Sequence, residues 1–314
     1  MRELSKKFMS DLLEKEGVLN PILTSVKKDH TLMLAIRDGF INIYYRGGSI
    51  LRVTEHSKGF YRTFFDHRYN KSGYEIPSSP ATIENQDDAK KWVTSFLYRK
   101  NVMDEFYSMY GKSEREYQQL VARENNNSSI SNESEYFISD IEVTETAPGA
   151  RFDMVAIRWL ANKRKSGDNC RLAFIEMKYG DGAIHGSAGI LKHLNDIDGL
   201  IANTDHYSKL VKVIENQFNQ LDQLGLLNFN KGKSFAKVNL DASEKPEVIF
   251  ILANHNPRAS GLKTILNTSE LNAYSVSSRF DLRFFVASFA GYGLHSKCMF
   301  DLTRFRELAL FDLS

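Results

Sequence analysis

The stretch that decides the fold runs from Arg151 to Tyr179 and reads RFDMVAIRWLANKRKSGDNCRLAFIEMKY. Its two ends are apolar and strand-like, and its middle is a polar turn rich in Lys, Gly, Asp and Asn. A linker this short joins antiparallel neighbours, because parallel strands need a crossover of roughly a dozen residues or more. Another short linker precedes this stretch. We therefore predict a meander of three consecutive antiparallel strands, at Tyr136–Thr146, Arg151–Leu160 and Cys170–Tyr179.

Helical and apolar segments extend from the meander on both sides. A helix precedes it, with Ser113 as N-cap and Glu116 completing a capping box. A long helical region at Gly189–Leu227 follows, then the apolar stretch PEVIFILAN, a helix at Ser260–Ser269 and the final stretch LRFFVASF. The predicted order is helix, three strands, helix, strand, helix, strand. It indicates a mixed α/β or α+β core.

The N-terminal part has a different pattern. Between Thr31 and Asp66 apolar and polar residues alternate, with Asp38-Gly39 and Gly47-Gly48 between the first three runs. Alternation broken by such dipeptides is typical of β-hairpins. We predict a small antiparallel sheet, preceded by a helix at Leu4–Glu16 and ended by a Ser, Gly and Pro-rich loop. The domains are then an N-terminal unit over residues 1–80 and a main domain over residues 81–314.

Composition limits the class of protein. The 314 residues include 42% hydrophobic and 25% charged residues, which is typical of a folded globular chain. A net charge of +2 is too small to identify a nucleic-acid binder, since a basic surface can be hidden in the total. The apolar runs are far shorter than the roughly 20 residues of a membrane span, so we expect no membrane segment and a cytoplasmic protein. The two cysteines lack zinc-ligand spacing.

Three charged residues stand within the apolar strands of the meander. Glu176 and Lys178 are two residues apart, so their side chains share one face of a strand. Asp153 lies in the preceding strand among apolar neighbours. Charges are rarely buried without partners or a metal. Two carboxylates are the hard ligands that Mg²⁺ prefers, with Mn²⁺ as a substitute, and Lys178 could orient the attacking water or neutralise charge on a phosphate.

Asp153 followed by Glu176-Met177-Lys178, on the second and third strands of a meander, resembles the PD-(D/E)xK nuclease superfamily. The resemblance covers about residues 113–289 and implies a restriction-endonuclease-like core. It implies a Mg²⁺-dependent nuclease with DNA as the favoured substrate, in which Asp153 and Glu176 hold the metal and Lys178 is the catalytic lysine. Phe152 stands where the motif name has proline, a position that varies in the family.

The resemblance also implies further polar residues from the helices. Many members use an acidic residue of the first core helix, for which Glu116 and Glu124 are the candidates, and we favour Glu116. Some relatives place a Gln in the helix after the third strand. Gln217 fits that position, because it shares a helical face with apolar residues.

Two less specific interpretations stay open. Asp153, Glu176 and Lys178 could form an ion pair on an exposed strand face. The chain could also keep a nuclease fold as an inactive module that binds nucleic acid or a protein partner. The intact Asp, Glu and Lys favour the enzyme. The sequence does not decide whether the substrate is DNA or RNA, whether cleavage is internal or terminal, or whether the protein forms a homodimer.

Other polar residues are weaker candidates. A basic run in the turn after the second strand could contact phosphates, although such a run is more often a solvated turn. Several histidines follow the third strand without metal-ligand pairing, and we interpret them as surface or packing residues. These residues are Lys163, Arg164 and Lys165, and His185, His193 and His206.

Overall fold

The computed structural model describes residues 2–57, 59–111, 113–128, 131–144, 151–186, 189–233, 235–255, 260–287 and 291–309. The chain divides into two compact units. The first unit is Met1–Arg123 with Asn216–Leu227, and the second unit is Glu124–Glu215 with Asn228–Ser314. A compact unit need not coincide with a domain. The predicted domain boundary after residue 80 therefore stays a prediction. No helix in the described ranges is long and apolar enough to cross a membrane.

The first unit is built on a five-stranded antiparallel sheet in which neighbouring strands follow one another along the chain. Its elements are α1 (Lys6–Leu13), α2 (Asn20–Lys28), β1 (Leu32–Ile36), β2 (Phe40–Tyr45), β3 (Gly48–Ser57), β4 (Phe60–Phe64), β5 (Thr82–Ile83) and α3 (Gln86–Met109). The predicted helix and sheet are confirmed. Arg46 and Gly47 form the turn between β2 and β3, and both have positive φ, as a type I′ hairpin turn requires.

The second unit is built on a six-stranded mixed sheet. Its elements are β6 (Tyr136–Thr144), β7 (Arg151–Arg158), β8 (Arg171–Tyr179), α5 (Ile190–Ala202), β9 (Glu247–Ala253), α7 (Ser260–Leu266), α8 (Ser269–Asn272), β10 (Asp281–Val286), β11 (Met299–Phe300) and α9 (Leu302–Ala309). Two helices, α4 (Ser113–Asn126) and α6 (Thr204–Gln223), run from one unit into the other. The protein is therefore a mixed α+β protein with two sheets.

The order of strands in the second sheet is β11-β10-β9-β8-β7-β6. The meander is confirmed, because β6, β7 and β8 are consecutive antiparallel neighbours. Pairing then changes to parallel from β8 to β9 and from β9 to β10. The connections between the parallel strands carry α5 with α6 and α7 with α8, as crossovers do. Residues 145 and 146 of the first predicted strand lie outside the described residues.

The buried carboxylate of Glu247 connects the strand ends opposite the sequence motif. It accepts a hydrogen bond from the Tyr136 hydroxyl at 2.6 Å and forms an ion pair with Arg171. The Arg158 guanidinium lies 3.6 Å from the same carboxylate, and Arg171 also contacts Asp281 at 2.9 Å. This network therefore links β6, β7, β8, β9 and β10 through one buried charge.

Candidate active site

The pairing of β7 with β8 brings the two carboxylates of the motif to one face of the sheet. The ladder pairs Met154 with Ile175, and the next step of that register sets Asp153 opposite Glu176. Opposite residues of an antiparallel pair point to the same face. Lys178 lies on that face too, two residues beyond Glu176. The three residues therefore converge from two adjacent strands.

The two strands separate at this point. Main-chain pairing between β7 and β8 stops at Met154, and the N–H of Met177 donates to the Asp153 carboxylate at 2.9 Å. A side chain thus takes the place of a main-chain acceptor. The hydrogen bond fixes the position of the Asp153 carboxylate at the end of the ladder.

All three side chains are buried. The exposed fraction is 7% for Asp153, 0% for Glu176 and 3% for Lys178. The Lys178 ammonium lies 3.7 Å from Glu176 Oε2. The alternative of an ion pair on an exposed strand face is therefore wrong. A buried group of two carboxylates and one ammonium is costly to keep unless it binds something.

Burial changes the acidity of the site. The pKa of Asp153 is raised to about 7, first by burial and then by the nearby charge of Glu176. The Lys178 charge and the hydrogen bond from Met177 act in the opposite direction without cancelling the rise. Near neutral pH the Asp153 carboxyl is therefore close to half protonated.

A histidine that the sequence analysis set aside contacts the site. His193 of α5 places Nδ1 3.0 Å from Glu176 Oε2. Burial, followed by the Lys178 charge, lowers the pKa of His193, so the ring is neutral at pH 7. The imidazole therefore lies beside the Glu176 carboxylate without adding a positive charge. No short-range sequence signal marks it, since the register of a crossover helix over a sheet depends on tertiary packing.

Glu142 supplies a third carboxylate near the site. It lies on β6 between the pairs Ile141–Met154 and Val143–Phe152, which sets it opposite Asp153. Its φ of 52° is in the left-handed region, and its charge adds to the rise in the Asp153 pKa. Its side chain forms an ion pair with Arg151. The sequence showed only an alternating strand here, so Glu142 was missed.

The helix candidates have partners elsewhere. Glu116 belongs to the first unit, where its carboxylate accepts two hydrogen bonds from Arg46 at 2.9 and 3.0 Å. Gln217 is buried in that unit and donates to the carbonyl of Ile36 at 2.8 Å. Glu124, the alternative acid, is half-buried and belongs to the second unit. The catalytic roles of Glu116 and Gln217 stay predictions.

The basic run after β7 does not act as a unit. Arg164 is buried and donates to the carbonyls of Asn132 and Trp159. Its guanidinium is thus used inside the protein, whereas Lys163 and Lys165 are exposed. The phosphate-contacting alternative applies to the two lysines alone.

The carboxylate pair matches one mode of magnesium binding. Among the described residues, no three His, Cys, Asp or Glu side chains are grouped so that they could hold a metal ion. Mg²⁺ usually takes only one or two carboxylates from a protein and completes its shell with water and substrate phosphates. Asp153 and Glu176 supply that number and type of donor. The donor chemistry therefore fits Mg²⁺ or Mn²⁺.

The raised pKa of Asp153 predicts a stability change that depends on pH. Because the folded pKa lies above the ordinary value of 3.8, the contribution of Asp153 to the stability of the metal-free fold falls as the pH rises from 4 to 7. That contribution falls by on the order of 1 kcal/mol for each pH unit in the window. Asp153→Asn removes it, so in EDTA this variant should exceed wild type in free energy of unfolding, and more so at pH 8 than at pH 5.

Urea unfolding at the two pH values measures this effect. Asp66→Asn is the matched control, because the pKa of Asp66 is lowered, chiefly by its hydrogen bonds from Arg68. That variant should lose a little stability at pH 8. An Asp153→Asn gain that is equal at both pH values would contradict the assignment.

Searches against protein families, curated proteins and solved structures returned no match for this chain. The chemistry of the site therefore rests on its own geometry and burial.

Proposed function

We propose that this protein is a metal-dependent nuclease of PD-(D/E)xK type that hydrolyses phosphodiester bonds, with DNA as the favoured substrate. The observation that carries the proposal is the buried convergence of Asp153, Glu176 and Lys178 where β7 and β8 separate. The order of helices and strands around them agrees with a restriction-endonuclease-like core, which we include in the proposal.

Each residue has a role that its surroundings support. Asp153 and Glu176 would hold Mg²⁺, which when bound supplies positive charge to the phosphate and acidifies water. The Met177 N–H donates to the Asp153 carboxylate, and the His193 imidazole lies 3.0 Å from that of Glu176. Lys178 holds an ammonium beside Glu176, where it can orient the attacking water and stabilise negative charge on the phosphate.

The burial of the triad favours an enzyme over an inactive module. Apolar residues of similar size would pack into the sheet at least as well as a buried ion group, and often more stably. Active sites commonly keep such unfavourable groups because the chemistry requires them. The elevated pKa of Asp153 is the same kind of signal.

The first unit offers a surface suited to nucleic acid. A cleft of about 640 Å³ is lined by basic and aromatic side chains, among them Arg52, Lys71, Arg115, Tyr69 and Tyr110. Asp66 also lines it and forms an ion pair with Arg68 at 2.6 Å. Basic grooves with aromatic rings bind single-stranded nucleic acid by charge and base stacking. This cleft supports nucleic acid as the substrate class.

The test is cleavage by the purified full-length chain. Supercoiled plasmid, linear duplex, single-stranded DNA and RNA are incubated with Mg²⁺, Mn²⁺ or EDTA. We expect cleavage of DNA with either metal and none in EDTA. Binding of DNA without cleavage under every metal condition would favour the inactive module, and cleavage that persists in EDTA would overturn the metal mechanism.

A further inference from the structure

A buried arginine in the first unit has no negatively charged partner among the described residues. Arg99 of α3 is 5% exposed, and its guanidinium carbon lies 4.2 Å from the ring centroid of Trp92 and 4.5 Å from that of Phe65. Its Nε donates to the Ser95 hydroxyl at 2.9 Å, and one terminal nitrogen approaches the Ser79 hydroxyl at 3.3 Å. Both partners are neutral. The guanidinium therefore lies against two aromatic rings, and neither of its two hydrogen-bond partners balances its charge.

A second buried arginine, Arg164, offers a comparison, because its guanidinium has several hydrogen-bond acceptors and nearby negative charges. Arg164 is also 5% exposed and also lies against aromatic rings. It donates to three main-chain carbonyls, those of Asn132, Ser134 and Trp159. Glutamate charges further support it. Arg99 has no carboxylate within ion-pair distance in the described part of the chain.

The electrostatic consequence is visible in the acidity of Arg99. Burial lowers the pKa of its guanidinium to about 10. A guanidinium has five N–H donors in a planar fork. In Arg99 the two serines engage two of its three nitrogens. Part of the fork remains for an additional acceptor, and an anion would relieve the unbalanced charge.

Arg99 lines a cavity that can admit such an acceptor. The cavity has a volume of about 510 Å³, within the usual range of roughly 300–1,000 Å³ for small-molecule sites. Its described lining contains no Asp or Glu. Hydrogen-bonding groups and apolar surfaces both contribute, among them His67, Asn70, Phe64, Tyr74 and Ile76. The lining thus combines one cation with apolar walls.

We propose that this cavity binds a small organic anion, a phosphate or carboxylate attached to a flat apolar group, with the anionic group on the Arg99 guanidinium. Arginine binds both anions through paired N–H donors, and the apolar walls would take the flat group. The site is separate from the proposed nuclease chemistry and does not rest on it.

Isothermal titration of the full-length chain in EDTA tests the proposal. The probes are 5′-deoxyadenosine monophosphate for a phosphate, 2-naphthoate for a carboxylate, and deoxyadenosine as the uncharged match. Binding of either anion, with deoxyadenosine at least about tenfold weaker, is expected, because a charge-assisted pair is commonly worth one to two powers of ten in affinity. Absence of binding by both anions at millimolar concentration would overturn the proposal.

Two variants locate the site. Arg99→Met should weaken anion binding by about ten- to a hundredfold. Lys90→Met, which removes an exposed positive charge from the same helix, should bind as wild type does. Equal binding by Arg99→Met and wild type would overturn the assignment. If Arg99→Met fails to fold, the wild-type comparison of the charged probe with deoxyadenosine still decides whether the ligand must be anionic.

Discussion

Asp153→Asn, Glu176→Gln and Lys178→Ala are each expected to abolish metal-dependent DNA cleavage or to lower it by at least about a hundredfold, while the fold and DNA binding persist. The first two changes remove a negative charge with little change of shape. In the Asp153→Asn variant the amide oxygen can still accept the hydrogen bond that the Met177 N–H donates to Asp153. The loss should therefore come from metal affinity and transition-state stabilisation, with the packing of the sheet nearly unchanged.

Lys178→Ala acts through a different step. It removes the ammonium that lies 3.7 Å from Glu176, so negative charge developing on the phosphate loses its fixed partner. Removing one preorganised charge-stabilising group typically lowers turnover by about a hundred- to a thousandfold. Metal binding should be affected less than in the carboxylate variants. Plasmid cleavage measures activity, and titration with Mn²⁺ measures metal affinity.

His193→Ala gives a graded comparison within the same experiment. Because His193 lies 3.0 Å from Glu176, its loss should weaken metal affinity by roughly ten- to a hundredfold, with activity recovering at saturating metal. His56→Ala, at an exposed histidine of the first unit, is the control. Melting temperature verifies the fold of every variant. If wild type cleaves DNA and the Asp153, Glu176 and Lys178 variants cleave equally well, the site is wrongly assigned.

Glu247→Gln is expected to destabilise the protein by about 3–5 kcal/mol, the usual effect of breaking a buried ion pair by removing one partner. The substitution keeps the size of the side chain and can keep the hydrogen bond with Tyr136. It leaves the Arg171 and Arg158 guanidinium groups without the carboxylate that both approach. Urea unfolding monitored by circular dichroism measures the change.

Two further variants separate charge from hydrogen bonding. Tyr136→Phe removes only the 2.6 Å hydrogen bond to Glu247 and should lose about 1.5–3 kcal/mol. Asp281→Asn removes the outer, partly exposed partner of Arg171 and should lose less than either. If Glu247→Gln proves the mildest of the three, the buried charge is not the centre of the network.

The sheet of the second unit was predictable where local rules decide. The linkers around β7 are too short for crossovers, so the sequence predicts the meander. The Gly189–Leu227 region was predicted as one helical stretch, yet α5 ends before Asn203 and α6 begins after it. The Asn203 side chain accepts a hydrogen bond from the His206 N–H, an N-cap interaction. Apolar spacing continues on both sides and hides that break.

Local rules likewise predict some residues of the candidate site and not others. Asp153, Glu176 and Lys178 follow from strand periodicity, because period two places Glu176 and Lys178 on one face. Glu142 itself has a positive φ inside a strand, and the alternation of apolar and polar residues does not reveal this. His193 depends on how a crossover helix lies over the sheet. The positions of Glu142 and His193 at the site depend on tertiary structure, so the spacing of residues in the sequence does not predict them.

The first unit is made of two separate segments of the chain, and this limits how the protein can be divided into fragments. Residues 216–227 complete this unit, and there Gln220 exchanges hydrogen bonds with the main chain of Leu4 at 2.9 and 3.0 Å. A gene fragment that stops after Arg123 encodes the sheet of the unit without those partners. The shortest single-chain fragment that includes the whole unit ends at Leu227. Such a fragment necessarily carries Asp153, Glu176 and Lys178 but lacks β9, the strand that pairs with β8.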